Sequence, residues 1–505
     1  MYNTMKNIKY IILSLLMATG FVACETVDFG DINVNKNGPS DPYTSGLLAN
    51  AIMNYSSVSG RDYLNKPTLY VQWQSQVAYT DEMLYNESQA SWYSYYVNQL
   101  SSLQEVINYC SDPANEFDTA LLDQGSIKNQ VGVSNIMKAV IFKRLTDTWG
   151  DIPFSEALDP VNNIIQNYDD QEAIYKGIIN MLKEGRDMLE PGKKGPTGDI
   201  IYGGDVNKWR KLANSLIMQA SVQLSKVYPN AGGYAATEFE AAYNDGPILD
   251  VADEAWYKYD EDSGYNSPWN ANRPTDYFLS KEFTDALHGK KELNPTSNHT
   301  EDYRIHVFAD SDADGVPYGY RDESGAGKAS MSTETYWNNN ATIPMMTASY
   351  TYLNVADAAN MGWISASAED ALRIGIVLSY QSLANRKAID GKVGGMDPAD
   401  FVLYGTDDYA AARIADIGDF GIKRVIAEEK WVSLFPSGFD AWAEWRRTEI
   451  PILVPATDAV NDGNIPRRYL YPGEEATLNG AGYSKGVSTL TPATDNNTSR
   501  MWWDQ

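Results

Sequence analysis

The feature that most constrains the fold is a series of long segments in which apolar residues recur every three or four positions. This spacing places the apolar side chains along one face of an α-helix, which must then pack against another element. Three such segments lie in the first half of the chain, at 131–150, 169–190 and 205–229. The first ends at Gly150, and the other two end at or next to a proline. These are helix termination signals, so the sequence predicts a mainly α fold.

A second group of segments predicts a helical repeat. The segments 347–363 and 365–384 both have helical periodicity, and the short turn Met361-Gly362-Trp363 separates them. Small residues at packing positions allow the two helices to approach closely. Helix pairs of this kind are typical of tetratricopeptide-type repeats. The predicted fold class is therefore mainly α, a tetratricopeptide-type helical repeat scaffold with an irregular, loop-rich subdomain.

Changes in composition along the chain predict its organisation. Residues of about 230–340 are rich in Gly, Asp, Asn, Pro and aromatic residues and contain only short helical candidates. Long stretches of this kind are usually functional or belong to an irregular subdomain. We expect one domain over 44–505, with a helical scaffold at about 44–229 and 341–450. The loop-rich insert then occupies about 230–340, and an irregular C-terminal tail covers about 451–505.

The N-terminus has the pattern of a signal peptide that ends at a cysteine. Lys6 and Lys9 precede the apolar run Tyr10–Ala23, and Cys24 follows directly. This predicts a signal peptide at 1–23 and a lipidated tether at 24–43, with acyl chains on Cys24 as the membrane anchor. The alternative is a secreted protein whose cysteine is incidental. Cys110 has no disulfide partner once Cys24 is acylated, so we expect it to be buried near a helix end.

The net charge excludes one class of partner. The chain has 40 Lys and Arg against 67 Asp and Glu, a formal charge of −27. Removing residues 1–23, which contain two lysines and no acid, gives −27 − 2 = −29. A surface of this sign repels the phosphates of nucleic acids. We therefore expect no nucleic-acid partner.

Several short motifs suggest chemistry, but each has a simpler structural interpretation. Asp310, Asp312 and Asp314 occupy the first, third and fifth positions of a calcium loop, whereas its twelfth position is Arg321 in place of glutamate. This excludes a full EF-hand and leaves a candidate calcium site or a plain turn. The segment 482–486 matches G-x-S-x-G, but no histidine follows it. We expect no catalytic residues, no cofactor and no metal apart from this calcium candidate.

Two motifs near helix ends favour packing roles. Asp147 and Asp151 flank Trp149-Gly150, where a helix cap and turn are a better interpretation than acid–base chemistry. In 442–447, two tryptophans three residues apart precede two arginines. We expect these tryptophans in the core and these arginines paired with carboxylates or carbonyls.

Aromatic residues are the main candidates for a binding surface. The chain has 34 tyrosines against 13 phenylalanines, and tyrosine tolerates one wet edge, so we expect exposed aromatic surface. Two segments combine such rings with amides and charges, the mixture that suits sugar C–H faces and hydroxyls. The alternative is that about half of these rings, especially Trp92, are core. The candidate ligand-binding residues are Tyr79, Tyr85, Trp92, Tyr265, Trp269, Asn270, Arg273 and Tyr277.

Four stretches resemble one family. They are the tether 29–42 and the segments 144–158, 207–221 and 429–453, and they resemble SusD/RagB-type outer-membrane nutrient-binding lipoproteins of the SusD-like branch. The resemblance implies a single SusD-like domain on a tetratricopeptide scaffold, displayed at the cell exterior. It also implies a TonB-dependent, SusC-like transporter as partner and an oligosaccharide or peptide as ligand. Ligand contacts in the family come from the first helix break and the irregular insert.

Three functional hypotheses follow. The first is a non-enzymatic lipoprotein that captures a nutrient, with an oligosaccharide as the leading candidate, and passes it to the transporter. The second is a surface glycoside hydrolase with paired carboxylates, since the chain has 67 acidic residues to draw on. The third is a non-catalytic adhesin or scaffold.

Overall fold

The computed structural model describes residues 42–505 except 88–89, 160–161, 164, 387–392 and 394. Thr44–Gln505 form one compact unit, and residues 1–43 form another, of which only Pro42 and Tyr43 are described. The predicted signal peptide, the lipidation site Cys24 and nearly all of the predicted tether lie outside the described residues. None of the described helices combines the length and the apolar composition needed to cross a bilayer.

The first half of the unit is mainly helical, with long helices and a few short ones. They are α1 (Thr44–Ser56), α2 (Lys66–Tyr70), α3 (Ser101–Ser111), α4 (Thr119–Leu122), α5 (Ile127–Trp149), α6 (Gln171–Met188) and α7 (Val206–Gln223). The π-helical segments Arg61–Asn65 and Tyr95–Leu100 lead directly into α2 and α3. Side-chain caps begin several of them; for example, Ser126 accepts a hydrogen bond from the backbone N–H of Asn129 at the start of α5.

The second half contains short elements followed by another group of helices. The helices are α8 (Tyr234–Asp245), α9 (Lys281–Leu287), α10 (Ile305–Phe308), α11 (Ala348–Asn360), α12 (Ala368–Asn385), α13 (Pro398–Tyr404), α14 (Ala410–Phe420), α15 (Ile422–Ser433), α16 (Gly438–Thr448), α17 (Glu475–Leu478) and α18 (Gly480–Ser488). The mainly α, tetratricopeptide-containing fold class is confirmed.

Three antiparallel strand pairs connect distant parts of the chain. They are β1 (Gln74–Gln76) with β5 (Tyr277–Leu279), β2 (Ile152–Pro153) with β3 (Tyr168–Asp169), and β4 (Ala255–Tyr257) with β6 (Ile343–Met346). Both β4 and β5 lie in the insert, so two of the pairs attach the insert to the helical part of the chain.

Small residues bring consecutive helices into close contact. A Cβ atom added at Gly132 of α5 would lie 2.7 Å from the carbonyl oxygen of Gly185 in α6, and one at Gly185 would lie 2.8 Å from the carbonyl oxygen of Gly132. Helices α11 and α12 pack as a hairpin around buried Ala356 and Ala371. The turn between them passes through Gly362, whose φ of +72° favours glycine.

Buried ion pairs join the hairpin to the C-terminal helices. Lys430 of α15 lies 3.0 Å from Asp357 of α11 and 3.2 Å from Glu444 of α16. Arg447 pairs with both carboxylates. Burial opposes the ionisation of Asp357, but the charges of Arg447 and Lys430 outweigh it and hold the pKa of this carboxyl below its usual range. We name these four residues the Asp357 quartet.

The structure corrects two details of the sequence analysis. The insert contains a regular helix, α8, where only short helical candidates were expected. Most tyrosines pack in the core, and within Thr44–Gln505 only Tyr79 and Tyr320, of the described tyrosines, carry large exposed rings. Tyrosine is therefore mainly a core residue here, because its ring is buried while its hydroxyl often finds an acceptor.

Other local expectations are confirmed. Cys110 is buried near the end of α3. Gly150 caps α5 with φ +97°, and Asp151 accepts a hydrogen bond from the backbone N–H of Gln171. Trp442 is fully buried, as the spacing in α16 predicts.

Both arginines of that motif are buried as well. Arg446 stacks on Trp442, with its Cζ atom 3.8 Å from the ring centroid. Its Nη1 donates hydrogen bonds to the carbonyl oxygens of Asp147 and Arg467. Arg447 pairs with carboxylates of the Asp357 quartet, so the predicted carboxylate and carbonyl partners are both present.

Candidate functional site

The predicted site residues separate into an exposed group and a buried group. Tyr79 is 59% exposed, and Asn270 and Arg273 are exposed as well. The remaining rings have no open face in this structure; they belong to Tyr85, Trp92, Tyr265, Trp269 and Tyr277. A platform for sugar stacking needs one accessible ring face, so Tyr79 alone among the predicted rings provides one.

Strand pairing brings together the two segments that carry the candidates. Gln76 in β1 lies opposite Tyr277 in β5, and the N–H of Val77 donates a hydrogen bond to the carbonyl oxygen of Asp276. Tyr79, three residues after the end of β1, adopts φ +52°, in the left-handed region. This conformation is uncommon for a bulky residue and is found preferentially at functional sites.

Two guanidinium groups flank the exposed ring. The Cζ atoms of Arg61 and Arg273 lie 5.1 Å and 5.3 Å from the centroid of the Tyr79 ring. Arg61 pairs with Glu82 at 3.0 Å, and Arg273 pairs with Asp276 at 3.3 Å. Both carboxylates are buried, whereas both arginines keep solvent-accessible surface. We name these five residues the Tyr79 surface.

Tyr277 lies buried next to Glu82 and Arg61 of this surface. It is 3% exposed, and burial raises the pKa of its hydroxyl to about 12, with the charge of Glu82 acting in the same direction. The phenol therefore keeps its proton at neutral pH. Gln76 donates a hydrogen bond to the second oxygen of Glu82 at 2.7 Å, which fixes this carboxylate beneath Arg61.

The Tyr79 surface can bind a polyhydroxylated ring. The tyrosine offers a flat apolar face, the guanidinium groups donate hydrogen bonds, and the carboxylates hold them in place. Sequence analysis found Tyr79, Arg273 and Tyr277 but missed Arg61, Glu82 and Asp276. No local pattern marks those three residues, because the strand pairing assembles them.

The other predicted rings lie in separate environments. Trp92 packs edge-on against Trp149 and Tyr168, with centroid distances of 5.6 Å in both cases. Tyr85 accepts a hydrogen bond from the backbone N–H of Ala456. The ring of Tyr265 packs in a tilted arrangement against that of Tyr259, with the two centroids 4.8 Å apart. None of these three rings contributes to the Tyr79 surface.

The last two candidates lie elsewhere in the insert. Asn270 donates a hydrogen bond to the side chain of Asn339. Trp269 is 1% exposed and lines a cleft next to α5.

A second concavity lies beside Trp92. It has a volume of about 790 Å³, and its lining combines the rings of Tyr93 and Tyr96 with the exposed apolar side chains of Val97 and Leu478. Tyr93 donates its hydroxyl proton to Glu475, and Tyr96 donates to the carbonyl oxygen of Pro153. These rings are therefore already held by protein partners.

The calcium candidate residues point to different partners. His306 lies 2.9 Å from Asp312, while Lys290 pairs with Asp314. Asp310 accepts a hydrogen bond from the backbone N–H of Ser330. Over the described part of the chain, no group of three or more His, Cys, Asp or Glu side chains is arranged to hold a metal ion. The three aspartates thus act as turn and ion-pair residues in this structure.

Burial raises the pKa of several carboxyl groups that are not part of the Tyr79 surface. The pKa is raised to about 6 in Asp151 and to about 7 in both Glu254 and Glu282. Each of these three carboxyl groups accepts a hydrogen bond from a nearby group: Asp151 from the Thr489 hydroxyl, Glu254 from the Ser382 hydroxyl and Glu282 from the backbone N–H of Tyr318. Their hydrogen bonds are those of structural residues.

The family model SusD-like_2, described as "Starch-binding associating with outer membrane", matches residues 36–472. The chain belongs to the SusD-like_2 family. Its match covers both the helical scaffold, which carries Tyr79, and the insert, which carries Arg273. Among curated proteins, none matches this SusD-like_2 chain.

Solved structures share its fold. A SusD homolog from Bacteroides fragilis NCTC 9343 aligns with a TM-score of 0.76 and 18% identity, over 92% of this chain and 100% of that chain. A chitin-binding protein aligns with a TM-score of 0.73 and 22% identity, over the same shares. A chitin-binding SusD homolog from Flavobacterium johnsoniae gives a TM-score of 0.67 and 21% identity, over 92% and 99%. Identities this low establish the common fold and leave the ligand of this SusD-like_2 chain open.

Proposed function

We propose that this protein is a surface-exposed outer-membrane lipoprotein that captures an oligosaccharide on the Tyr79 surface and passes it to a TonB-dependent, SusC-like transporter. It acts by binding and release, without breaking bonds in its ligand. Membership of a family described as starch-binding and associated with the outer membrane supports this function. The chitin-binding proteins of the same fold are consistent with a carbohydrate ligand.

The observation that carries the proposal is the exposed ring of Tyr79 between two arginines. Covering about 60 Å² of apolar ring surface with a sugar face would contribute about 1.5 kcal/mol to binding. Hydrogen bonds from Arg61 and Arg273 to sugar hydroxyls would add specificity. One platform of this strength suits a protein that must release its cargo.

Replacing Tyr79 with alanine tests the proposal. A glycan panel first identifies an oligosaccharide that the wild-type protein binds, and calorimetry then measures its affinity. Tyr79→Ala should weaken this affinity about tenfold, which corresponds to the stacking contribution of about 1.5 kcal/mol. Phe117→Ala is the matched control, because Phe117 is an aromatic residue 81% exposed in a different turn.

Three results would count against the proposal. Unchanged affinity in Tyr79→Ala would remove this surface from the site. Reducing ends released from the glycan panel by the wild-type protein would support the glycoside hydrolase alternative. Binding of peptides without any glycan binding would exclude carbohydrate as the ligand class.

The membrane anchor and the transporter need separate tests. Cys24→Ala should move the protein from the outer-membrane fraction to the soluble fraction, since acyl chains on this residue are the proposed anchor. Persistence in the membrane fraction would contradict the anchor. The wild-type protein should copurify from detergent extracts with a large β-barrel protein, and isolation without one would favour the adhesin or scaffold alternative.

A further inference from the structure

A cleft separate from the Tyr79 surface lies where the helical scaffold meets the insert. It encloses about 110 Å³ and is lined by residues of α1, α5, α7, β4, β6 and α16 and by part of the insert. We name it the Arg144 cleft. The residues used below are Tyr55, Arg144, Tyr257, Phe439 and Asp440.

The guanidinium group of Arg144 forms no direct ion pair with a described residue, although the charge of Asp440 acts on it. Its Cζ atom lies 4.0 Å from the Phe439 ring centroid and 5.5 Å from that of Tyr55. No carboxylate among the described residues lies within ion-pair distance of it. The adjacent Lys143, by contrast, forms a 2.8 Å ion pair with Asp147. Arg144 therefore presents a cation that lies beside two aromatic rings and has no directly paired carboxylate.

Tyrosine hydroxyls without partners lie next to this charge. The hydroxyl of Tyr257 is buried and has no hydrogen-bond partner among the described residues, although leaving such a group unpaired is costly. Tyr55 packs edge-on against Tyr257 at 6.3 Å, and its hydroxyl also forms no hydrogen bond with a described residue. Burial raises the pKa of both hydroxyls, so both keep the proton they would donate.

The cleft also holds an acceptor and a flat wall. Asp440 accepts a hydrogen bond from the Gln219 amide at 3.0 Å, which positions its carboxylate at the start of α16. Phe439, whose ring is only partly buried, supplies apolar ring surface. The cleft therefore offers donors for an anionic group, an acceptor for hydroxyl groups and a surface for an apolar ring face.

We infer that the Arg144 cleft binds a sugar residue that carries a carboxylate, a hexuronate. Its carboxylate pairs with Arg144 and accepts a hydrogen bond from Tyr257. Its hydroxyls donate to Asp440, and its C–H face lies against Phe439. The choice of a sugar rests on the proposed carbohydrate-binding function, but the residues of this cleft are not those of the Tyr79 surface.

The probes are glucuronate and galacturonate, compared with glucose, galactose and acetate by ligand-observed NMR and calorimetry on the full protein. The wild type should bind at least one uronate ten or more times more tightly than its neutral counterpart and than acetate. Arg144→Gln should abolish this preference, because it removes the charge. Tyr257→Phe should weaken uronate binding severalfold while leaving the melting temperature unchanged or higher, because it removes an unpaired buried hydroxyl. Phe117→Ala, the control, should change neither the uronate affinity nor the melting temperature.

Different failures are distinguishable. Equal binding of neutral sugars and uronates, or acetate binding as tight as uronate binding, overturns this inference and leaves the proposed function standing. A uronate preference that survives Arg144→Gln and disappears in Tyr79→Ala overturns the placement in the cleft. Uronate affinity unchanged in Tyr257→Phe overturns the role of that hydroxyl. Binding of a peptide through its C-terminal carboxylate, without sugar binding, overturns the sugar assignment together with the proposed function.

Discussion

Removing Asp357 should destabilise the protein strongly, because it leaves two cations facing one anion in the core. The Asp357 quartet joins α11, α15 and α16, and Lys430 within it is 0% exposed. In Asp357→Ala, Lys430 and Arg447 share only Glu444. Breaking a buried ion pair from one side costs about 3–5 kcal/mol, because an uncompensated charge stays buried. We expect a loss of this size in the free energy of unfolding, measured by urea denaturation with tryptophan fluorescence.

A second substitution separates charge imbalance from lost packing. Lys430→Met in the Asp357→Ala background restores one cation for one anion, so the double variant should be more stable than Asp357→Ala alone. Asp187→Ala is the exposed control; Asp187 pairs with Arg186 at 2.8 Å but is 63% exposed, and its loss should cost no more than about 1 kcal/mol. A cost below about 1 kcal/mol for Asp357→Ala, or additive costs in the double variant, would refute this reasoning.

Three further predictions concern packing, pH and thiol reactivity. Gly132→Ala should lower the free energy of unfolding by about 1–3 kcal/mol because its Cβ would press on the backbone of α6, whereas Gly418→Ala, with open space around it, should be neutral or stabilising. Burial raises the pKa of Glu254 to about 7, so the folded state binds this proton more tightly than the unfolded state does. Relative to Glu254→Gln, the free energy of unfolding of the wild type should therefore fall by up to about 3 kcal/mol as the pH rises from about 4.5 to 7. Glu240→Gln, at an exposed position, is the control and should not change this pH dependence. Burial raises the pKa of the Cys110 thiol to about 12, so iodoacetamide should label it at pH 8 only after unfolding, as read by mass spectrometry; rapid labelling of the folded protein would contradict its burial.

The helical scaffold could be predicted from the sequence because its signals are local. The apolar periodicity of α5, α6, α7, α11 and α12 lies within each segment, and so do the caps and stops that end them. Helix α8 was missed because its sequence, YAATEFEAAYND, is short and lies in a stretch whose overall composition is rich in Gly, Asp, Asn and Pro. Sequence composition described the insert as a whole but could not resolve this helix within it.

The candidate site could be predicted only in part, because distant segments assemble it. Tyr79 and Arg273 meet through strands of three residues each, too short to show the alternation that identifies a strand. Trp269 was expected on a binding surface because polar residues surround it in the sequence. Its ring is nevertheless buried, since neighbours in the chain do not determine which side of a short loop faces the core.

The distribution of aromatic rings explains why one exposed tyrosine is more informative than the abundance of tyrosine. Buried rings pack edge-on in pairs such as Tyr70 with Tyr85 and Trp92 with Tyr471, which stabilises the core whatever the protein binds. Tyr79 gains no comparable packing: its ring is exposed, its backbone is in the left-handed region, and its neighbours are arginines held by buried carboxylates. An arrangement that costs folding energy at the surface is best explained by a ligand that uses it.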